Sequence, residues 1–448
     1  MGIAAEPSLE RPNVLMILAD DQSYRDFGFL GNELVYTPHL DELAARSAVF
    51  PNGYVPMSVC RPSLATLLTG LYPHQHGIYF NHPPPGLGAM RKMTAEQYRE
   101  TRATTDPLIE RLATLPRILA NHGYRCLQTG KHWEGHYSVA GFTDGMTLGL
   151  PTNRESSITG TRRQNNGELV AHGNGDAGLV IGRETMQPIE QFLDQVVDSN
   201  GKRQQPFFIW YAPFLPHTPF DAPAEFHQPY EGKNVPAHLR PYYAEIARFD
   251  ATVGQLLRML EDRGQSGNTL IVFASDNGFR PDERRHDRQN KRSKLSSFED
   301  GLRTPILISL PGQSESSVHP QLASTVDLVP TVLSAIGLAS ERSARMTGLD
   351  LTPAVKEKSQ LPDRPVFGAI YPNDAQKLNA AAAHVRARWV RYQHYKLLLP
   401  GPAEPSITAA FYDLNSDPFE QQNLINSGKH ADIIQSMTDM ANQWWSAE

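Results

Sequence analysis

Cysteine is scarce in this chain, long apolar runs are missing, and neither charge dominates. The 448 residues include two cysteines, Cys60 and Cys126, which leaves one disulfide or two free thiols as the alternatives. A formal net charge of −6 gives no electrostatic reason to expect nucleic-acid binding. No apolar run approaches the length of a membrane span. With 40% hydrophobic and 20% charged residues, the composition is that of a globular protein with one large and one smaller domain.

The first residues of the sequence are uninformative about export. Residues 1–13 have neither a charged n-region nor an apolar h-region. Residues 4–7, AAEP, are typical of a mature terminus after signal cleavage. We therefore expect a periplasmic or secreted protein, with a cytoplasmic one as the alternative.

Residues 56–70, PMSVCRPSLATLLTG, predict a helix that begins near Cys60. Pro62 suits a first turn, where its missing N–H costs nothing, and Gly70 suits the stop. Leucines recur at the i, i+3 and i+4 spacing of one helix face, namely Leu64, Leu67 and Leu68. The Cys60 thiol would then lie among unpaired backbone N–H groups at the positive end of the helix dipole. Such a position can hold an anion or activate a nucleophile.

Polar pairs follow two apolar strands of the predicted sheet. Asp20 and Asp21 end the run at residues 12–19, and Asp276 and Asn277 follow the run at residues 269–274. The carboxyl ends of parallel strands share the edge at which ligands bind. Three carboxylates and an amide oxygen suit a hard cation such as Ca²⁺ or Mg²⁺. Either pair alone is more typical of a turn or a helix cap, but two such pairs, each after an apolar strand, favour a metal site.

Strands and helices alternate over residues 12–340, which predicts an α/β fold with a large, mostly parallel sheet between helices. After about residue 360 the pattern predicts antiparallel strands, at residues 389–399 and 409–414, and a closing helix. We place an α/β catalytic domain at residues 1–358 and a smaller α+β subdomain at residues 359–448. Residues 81–110 are interpreted as a surface excursion, and residues 151–178 as a long loop over the site.

The order of these motifs resembles that of the type I sulfatases, which share an alkaline phosphatase-like fold. The family signature is Cys-x-Pro-Ser-Arg followed by Leu-Thr-Gly on a helix, and residues 60–70 match it except at one position. The remaining matches run in family order along nearly the whole chain, and they are Pro12-Asn13 through Asp20-Asp21, Gly130-Lys131, His217 before Thr-Pro, Asp276-Asn277-Gly278, Lys294 before Glu299, and Tyr412-Asp413-Leu414 with Asp417-Pro418, Glu420 and Asn423-Leu424.

The resemblance implies a sulfuric ester hydrolase that removes sulfate from a sulfated carbohydrate. It implies one divalent ion, usually Ca²⁺ with Mg²⁺ as the alternative, held by Asp20, Asp21, Asp276 and Asn277. It also implies that a formylglycine-generating enzyme oxidises Cys60 to formylglycine, whose hydrate attacks sulfur.

The roles of the other site residues also follow from the resemblance. Asp276 would act as the base, and Lys131 and Lys294 would bind sulfate oxygens. His217 or Lys294 would protonate the leaving alcohol. Further candidates for substrate binding beside the nucleophile are His132 and Arg61.

The chain departs from the family pattern at two places. Leu64 replaces an arginine that supports the nucleophile and forms part of the maturation signal, and leucine has neither its charge nor its donors. Lys131-His132-Trp133 replaces Lys-Trp-His, and a shift of one residue turns a side chain to the other face of an extended segment. Both departures fall beside the nucleophile, and the metal set is intact.

Two other functions therefore stay open. One is a metal-dependent hydrolase of the same fold that cleaves a phosphoester, phosphonate or glycan linkage without formylglycine. The other is a non-catalytic glycan-binding protein. The basic loop at residues 280–294 would suit an anionic polymer. Sugar-stacking faces are expected among Tyr79, Trp133 and Tyr137, with core packing as the alternative for at least one of them.

Overall fold

The structure is a computed structural model that describes residues 11–90, 92–148, 161–163, 169–171 and 177–447. Of the predicted loop at residues 151–178, the structure describes only residues 161–163, 169–171 and 177–178. The strands are β1 (Asn13–Ala19), β2 (Ala48–Phe50), β3 (Gly53–Tyr54), β4 (Arg125–Gly130), β5 (Asp144–Gly145), β6 (Thr161–Arg163), β7 (Leu169–Ala171), β8 (Phe207–Ala212), β9 (Thr269–Ser275), β10 (Ile306–Ser309), β11 (Ser317–Val318), β12 (Ala323–Ser324), β13 (Val366–Ile370), β14 (Ala387–Tyr392), β15 (Tyr395–Pro400) and β16 (Ala410–Asp413).

The α-helices are α1 (Pro38–Ala44), α2 (Cys60–Thr69), α3 (Pro73–His76), α4 (Leu87–Met90), α5 (Ala95–Ala103), α6 (Asp106–Glu110), α7 (Leu115–Asn121), α8 (Gln187–Val196), α9 (Arg240–Glu261), α10 (Glu299–Leu302), α11 (Leu328–Ala335), α12 (Thr352–Glu357), α13 (Ala381–His384) and α14 (Ala431–Trp444). None of these helices is both long enough and apolar enough to cross a bilayer.

The main sheet has eight strands in the order β11-β2-β10-β9-β1-β8-β4-β5. Strand β1 pairs in parallel with both β8 and β9, and β4 pairs in parallel with β8. Strand β10 runs antiparallel to β9 and β2. The prediction of a mostly parallel sheet is thus confirmed, and the antiparallel strand is an addition to it.

Strand β1 is buried on both faces because helices cover both sides of the sheet. Met16 and Leu18 pack into one core with α2 and α11, while Leu15 and Ile17 pack into the other with α8 and α9. A strand buried in this way needs a continuous apolar sequence, and residues 13–19 provide it. The polar residues that follow are therefore fixed at the sheet edge by a rigid element.

A second sheet, β13-β14-β15-β16, is antiparallel throughout. Helix α14 covers it, with Met437 and Ala441 packed against Val390, Leu397 and Phe411. The predicted antiparallel region and closing helix are confirmed. The domain boundary after residue 358 stays a prediction.

Residues 81–110 are only in part a surface excursion, and the prediction needs correction there. They form α4, α5 and α6, and the side chains of Arg102 and Thr105 are buried. Arg102 donates to the Trp133 carbonyl at 2.9 Å. This segment therefore packs behind the loop that carries Lys131.

Candidate active site

Two neighbouring strands bring four polar residues together. Because β1 and β9 pair in parallel with Ala19 opposite Ser275, the residues that follow them meet at one edge of the sheet. Oxygens of Asp20, Asp21 and Asp276 lie with the Cys60 sulfur within 4.8 Å of one another. The Asp21 backbone takes a left-handed φ of 65°, and its N–H donates to Asp276 Oδ1 at 3.1 Å.

Cys60 is the first residue of α2, as the sequence predicts. It is 4% exposed, and its Sγ lies 3.7 Å from Asp20 Oδ1 and 3.0 Å from Lys294 Nζ. Burial and the Asp276 carboxylate raise the pKa of the Cys60 thiol, which opposes the expected activation by the helix terminus. An unmodified thiol at this position is thus protonated and a weak nucleophile.

Two lysines face the carboxylates from opposite sides. Lys131 follows β4, and its Nζ lies 2.5 Å from Asp20 Oδ1 and 3.4 Å from Asp276 Oδ2. Lys294 Nζ lies 2.7 Å from Asp21 Oδ1 and 2.9 Å from Asp21 Oδ2. Burial alone would lower the pKa of each lysine, but the carboxylates outweigh it and raise both pKa values. Both side chains therefore stay cationic.

His217 reaches the same cluster from the loop after β8. Its Nε2 lies 3.4 Å from Asp21 Oδ2, and its Nδ1 lies 2.7 Å from the Thr218 carbonyl oxygen. That second contact assigns the ring hydrogen to Nδ1. Burial lowers the pKa of His217 to about 3. Arg183 supports the loop by donating to the His217 carbonyl at 2.5 Å.

The oxygen atoms of the cluster fit a divalent cation. Asp20 Oδ2 and Asn277 Oδ1 are buried, and neither accepts a hydrogen bond within the described part of the chain. Asn277 turns its Nδ2 to Asp21 Oδ1 at 2.7 Å, which leaves its oxygen available as a ligand. Burial raises the pKa of Asp276 to about 7, with the Asp20 carboxylate adding to the effect. A hard cation would supply the missing partner for the oxygens and offset the crowded negative charge.

The structure places two of the expected substrate-binding residues elsewhere. Arg61 is buried, and its Nε and Nη2 donate to the two carboxylate oxygens of Glu134 at 2.7 and 2.8 Å. His132 is buried edge-to-face against Phe142, with the ring centroids 5.8 Å apart. Arg61 is thus held by an ion pair and His132 by an aromatic contact, and the role of both residues in substrate binding stays a prediction.

The support of Arg61 is a feature that the sequence interpretation missed. Its Nη2 also donates to Thr105 Oγ1 at 2.8 Å, and its backbone N–H donates to Asn81 Oδ1 at 3.0 Å. Nothing in the spacing of these residues marks them as partners. Glu134 lies three residues after Lys131 in the sequence, but an isolated carboxylate does not by itself indicate a buried ion pair.

Leu64, which stands at the position of the family arginine, lies on α2 and is buried in the apolar core. The cations nearest the Cys60 site are instead lysines, because Lys131 and Lys294 each contact a carboxylate of the cluster. The Cys60 sulfur is thus held by Lys294 at 3.0 Å. The leucine contributes packing where the family signature has charge.

The predicted glycan-facing residues divide into two groups. Tyr79 is buried, and its hydroxyl donates to the Lys377 carbonyl at 2.6 Å, so it belongs to the core rather than to a sugar-stacking face. Trp133 and Tyr137 are half-buried, and their stacking role stays a prediction. In the basic loop, Arg280 pairs with Asp26 at 2.8 Å.

The family model described as Sulfatase matches residues 12–338. The chain belongs to the sulfatase family. A second model, N-sulphoglucosamine sulphohydrolase, C-terminal, matches residues 289–445.

Sulfatase relatives match over most of their length. Human arylsulfatase A is 27% identical over 98% of this chain and 89% of its own. The N-acetylgalactosamine-6-sulfatase of Canis lupus familiaris is 28% identical over 99% of this chain and 87% of its own. Among solved structures, the PsFucS1 sulfatase from Pseudoalteromonas sp. aligns with a TM-score of 0.69 at 20% identity, covering 97% of this chain and 89% of its own. The match to PsFucS1 shows that this chain has the alkaline phosphatase-like fold. Membership of the family identifies the chain as a sulfatase enzyme.

Proposed function

We propose that this sulfatase removes sulfate from a sulfated carbohydrate. The reaction would use one divalent ion, for which Ca²⁺ is the first candidate, and formylglycine derived from Cys60. The observation that carries the proposal is the buried group of Asp20, Asp21, Asp276 and the Cys60 sulfur within 4.8 Å of one another. The carbohydrate is supported by relatives that are named for sugar sulfates.

The metal would be held by Asp20, Asp21, Asp276 and Asn277, and it would supply positive charge for the sulfate oxygens. A hydrated aldehyde at position 60 would supply the nucleophilic oxygen that the protonated thiol lacks. A formylglycine-generating enzyme is the partner that this modification requires.

The remaining groups of the site bind the anion and move protons. Lys131 and Lys294 present ammonium groups to the sulfate oxygens and to the charge that develops on them in the transition state. Asp276, with its pKa raised to about 7 by burial, is the base next to position 60. Either Lys294, which stays cationic, or His217, which must first take up a proton on Nε2, delivers a proton to the leaving alcohol oxygen.

Two measurements test the proposal together. Intact-protein mass reports whether residue 60 still carries sulfur. Ion chromatography measures sulfate release from a panel of sulfated sugars, with phosphate and phosphonate esters beside them. Cys60→Ser should lower sulfate release by several orders of magnitude, and Cys126→Ala, which removes a buried thiol away from the cluster, should retain it.

Three results would contradict the proposal. The first is active protein whose residue 60 remains a thiol. The second is turnover of phosphate or phosphonate esters that survives Cys60→Ser. The third is glycan binding without release of any ester, which would support a non-catalytic protein.

A further inference from the structure

A buried network joins the segment that carries residue 60 to the loop that carries Lys131. Arg61, the residue after Cys60, donates to both carboxylate oxygens of Glu134 at 2.7 and 2.8 Å. Glu134 in turn lies three residues after Lys131. The proposed sulfate chemistry uses neither side chain of this pair, and both are almost fully buried, with 1% and 3% exposed.

The two reactive side chains need such a connection because different elements carry them. Cys60 begins α2, which packs on one face of the main sheet, whereas Lys131 follows β4 at the edge of the sheet. No strand register therefore fixes the distance between residue 60 and the lysine. Asp20 contacts both side chains, but a flexible lysine stem can reach a carboxylate from more than one backbone position.

Arg102 ties the same two segments together a second time. Its Nη2 donates to the Trp133 carbonyl at 2.9 Å, and its Nη1 donates to the Asn81 carbonyl at 3.0 Å. The side chain of Asn81 accepts the Arg61 backbone N–H at 3.0 Å. The loop after Lys131 and the first turn of α2 are therefore held to one buried frame through backbone as well as side-chain groups.

The pair is charged, and its geometry is specific. Burial alone would raise the pKa of Glu134, but the Arg61 guanidinium outweighs burial and lowers that pKa, so the carboxylate stays ionised. A guanidinium and a carboxylate that share two parallel hydrogen bonds meet in one relative orientation. Apolar side chains of similar volume often give a buried site equal stability, but they do not fix that orientation. The ion pair therefore adds placement rather than stability.

We propose that Arg61 and Glu134 are positioning residues that hold residue 60 against Lys131 for attack on the sulfate ester. The inference rests on the proposed function and deepens it, because it names the support that compensates for the arginine missing at Leu64. Neither side chain needs to touch the substrate in this role. A displacement of about 1 Å between reacting groups can lower a rate about 100-fold, so loosening the pair should lower kcat.

The test replaces both partners at once, which leaves neither member of the pair buried without the other. Arg61→Met with Glu134→Met should fold, with a melting temperature within about 4 °C of the parent. We would measure kcat and KM with 4-nitrophenyl sulfate, and divide kcat by the fraction of residue 60 that intact-protein mass shows to be converted. We expect kcat to fall about 100-fold and kcat/KM to fall equally, as it does when an interaction of the transition state is lost.

A second double variant controls for the loss of an ion pair on the same strand. Arg125 and Asp144 pair at the opposite end of β4, where each side chain is 27% exposed. Arg125→Met with Asp144→Met should leave kcat and KM unchanged. Retained kcat in the double variant of Arg61 and Glu134, or a change confined to KM, would overturn the inference.

Hydrogen exchange keeps the inference testable if the proposed function fails. Amide exchange followed by mass spectrometry reports on residues 58–64 and 130–135 whether or not residue 60 is converted. Where the parent or the variant releases no sulfate, exchange decides: a rise of about tenfold in both segments of the variant, absent from the control, upholds the positioning role. Equal exchange in either segment, or the same rise in the control, overturns it. Sulfate release by parent protein whose residue 60 remains a thiol overturns the proposed function alone.

Discussion

The buried pair of Arg61 and Glu134 gives the sharpest prediction about stability. The two side chains are 1% and 3% exposed and share two hydrogen bonds. Arg102 is buried beside them, and the charge of Arg61 contributes to lowering the pKa of Arg102, after burial, to about 10. Glu134→Gln would therefore leave the buried Arg61 guanidinium without its paired carboxylate, and it would remove one of the carboxylates near Arg102.

Removing one partner of a buried ion pair costs about 3–5 kcal/mol of unfolding free energy, because the remaining charge stays desolvated. We expect a loss in that range for Glu134→Gln. Replacing both partners, Arg61→Met with Glu134→Met, should restore stability to within about 1 kcal/mol, since apolar replacements of buried pairs are often neutral. The double-mutant cycle then isolates the coupling between them.

Urea unfolding followed by tryptophan fluorescence and far-UV circular dichroism is the assay, and coincident transitions are required before free energies are compared. Glu315→Gln is the control, because its partner Lys358 and Glu315 itself are largely exposed. That control should leave the midpoint unchanged. A Glu134→Gln midpoint equal to the parent, or a double variant weaker than the single one, would refute the reasoning.

Three further predictions concern the metal, the core and the loop that carries the lysine. Adding Ca²⁺ at 100 times its Kd to EDTA-treated protein should stabilise the folded state by about 2.7 kcal/mol. The rise in melting temperature on adding Ca²⁺ should be smaller in Asn277→Ala than in the parent protein. An equal rise in the two proteins would argue against Asn277 as a ligand. Lys396→Met should lower the free energy of unfolding by about 3–5 kcal/mol, because it removes the cation that pairs with the buried Glu299 and Glu420. The exposed Lys358→Met should leave the urea midpoint nearly unchanged. Gly130→Ala should destabilise by about 1–3 kcal/mol more than Gly232→Ala: both have positive φ, but only at Gly130 would a Cβ lie 2.0 Å from a backbone oxygen of the next strand. Equal melting temperatures would contradict that comparison.

The convergence of the strand-end residues was predictable because it follows from the nature of parallel sheets. Apolar runs before Asp20 and Asp276 predicted buried strands, and parallel strands end at a common edge. The structure adds the register, with Ala19 opposite Ser275, which no sequence pattern specified. It also adds the left-handed turn at Asp21, a conformation that a residue other than glycine adopts only when its surroundings impose it.

The surroundings of Arg61 were not predictable in the same way. Its partner Glu134 is 73 residues further along the chain, and an isolated carboxylate in a loop carries no mark of burial. The antiparallel orientation of β10 was equally unpredictable, because a four-residue apolar run does not indicate which way the strand will run relative to its neighbours. Periodicity predicts elements and the ends of strands, whereas ion pairs between distant segments depend on packing.

The burial of α2 sets an order of events for making the enzyme. All ten of its residues are buried, and the Cys60 sulfur lies behind side chains that come from positions as far along as 294. The modifying enzyme of the proposed reaction would have no approach to that sulfur once the sheet has closed. The proposed conversion would therefore have to act on the newly made chain, before its later strands are added, and folded protein with an unconverted Cys60 would keep its thiol.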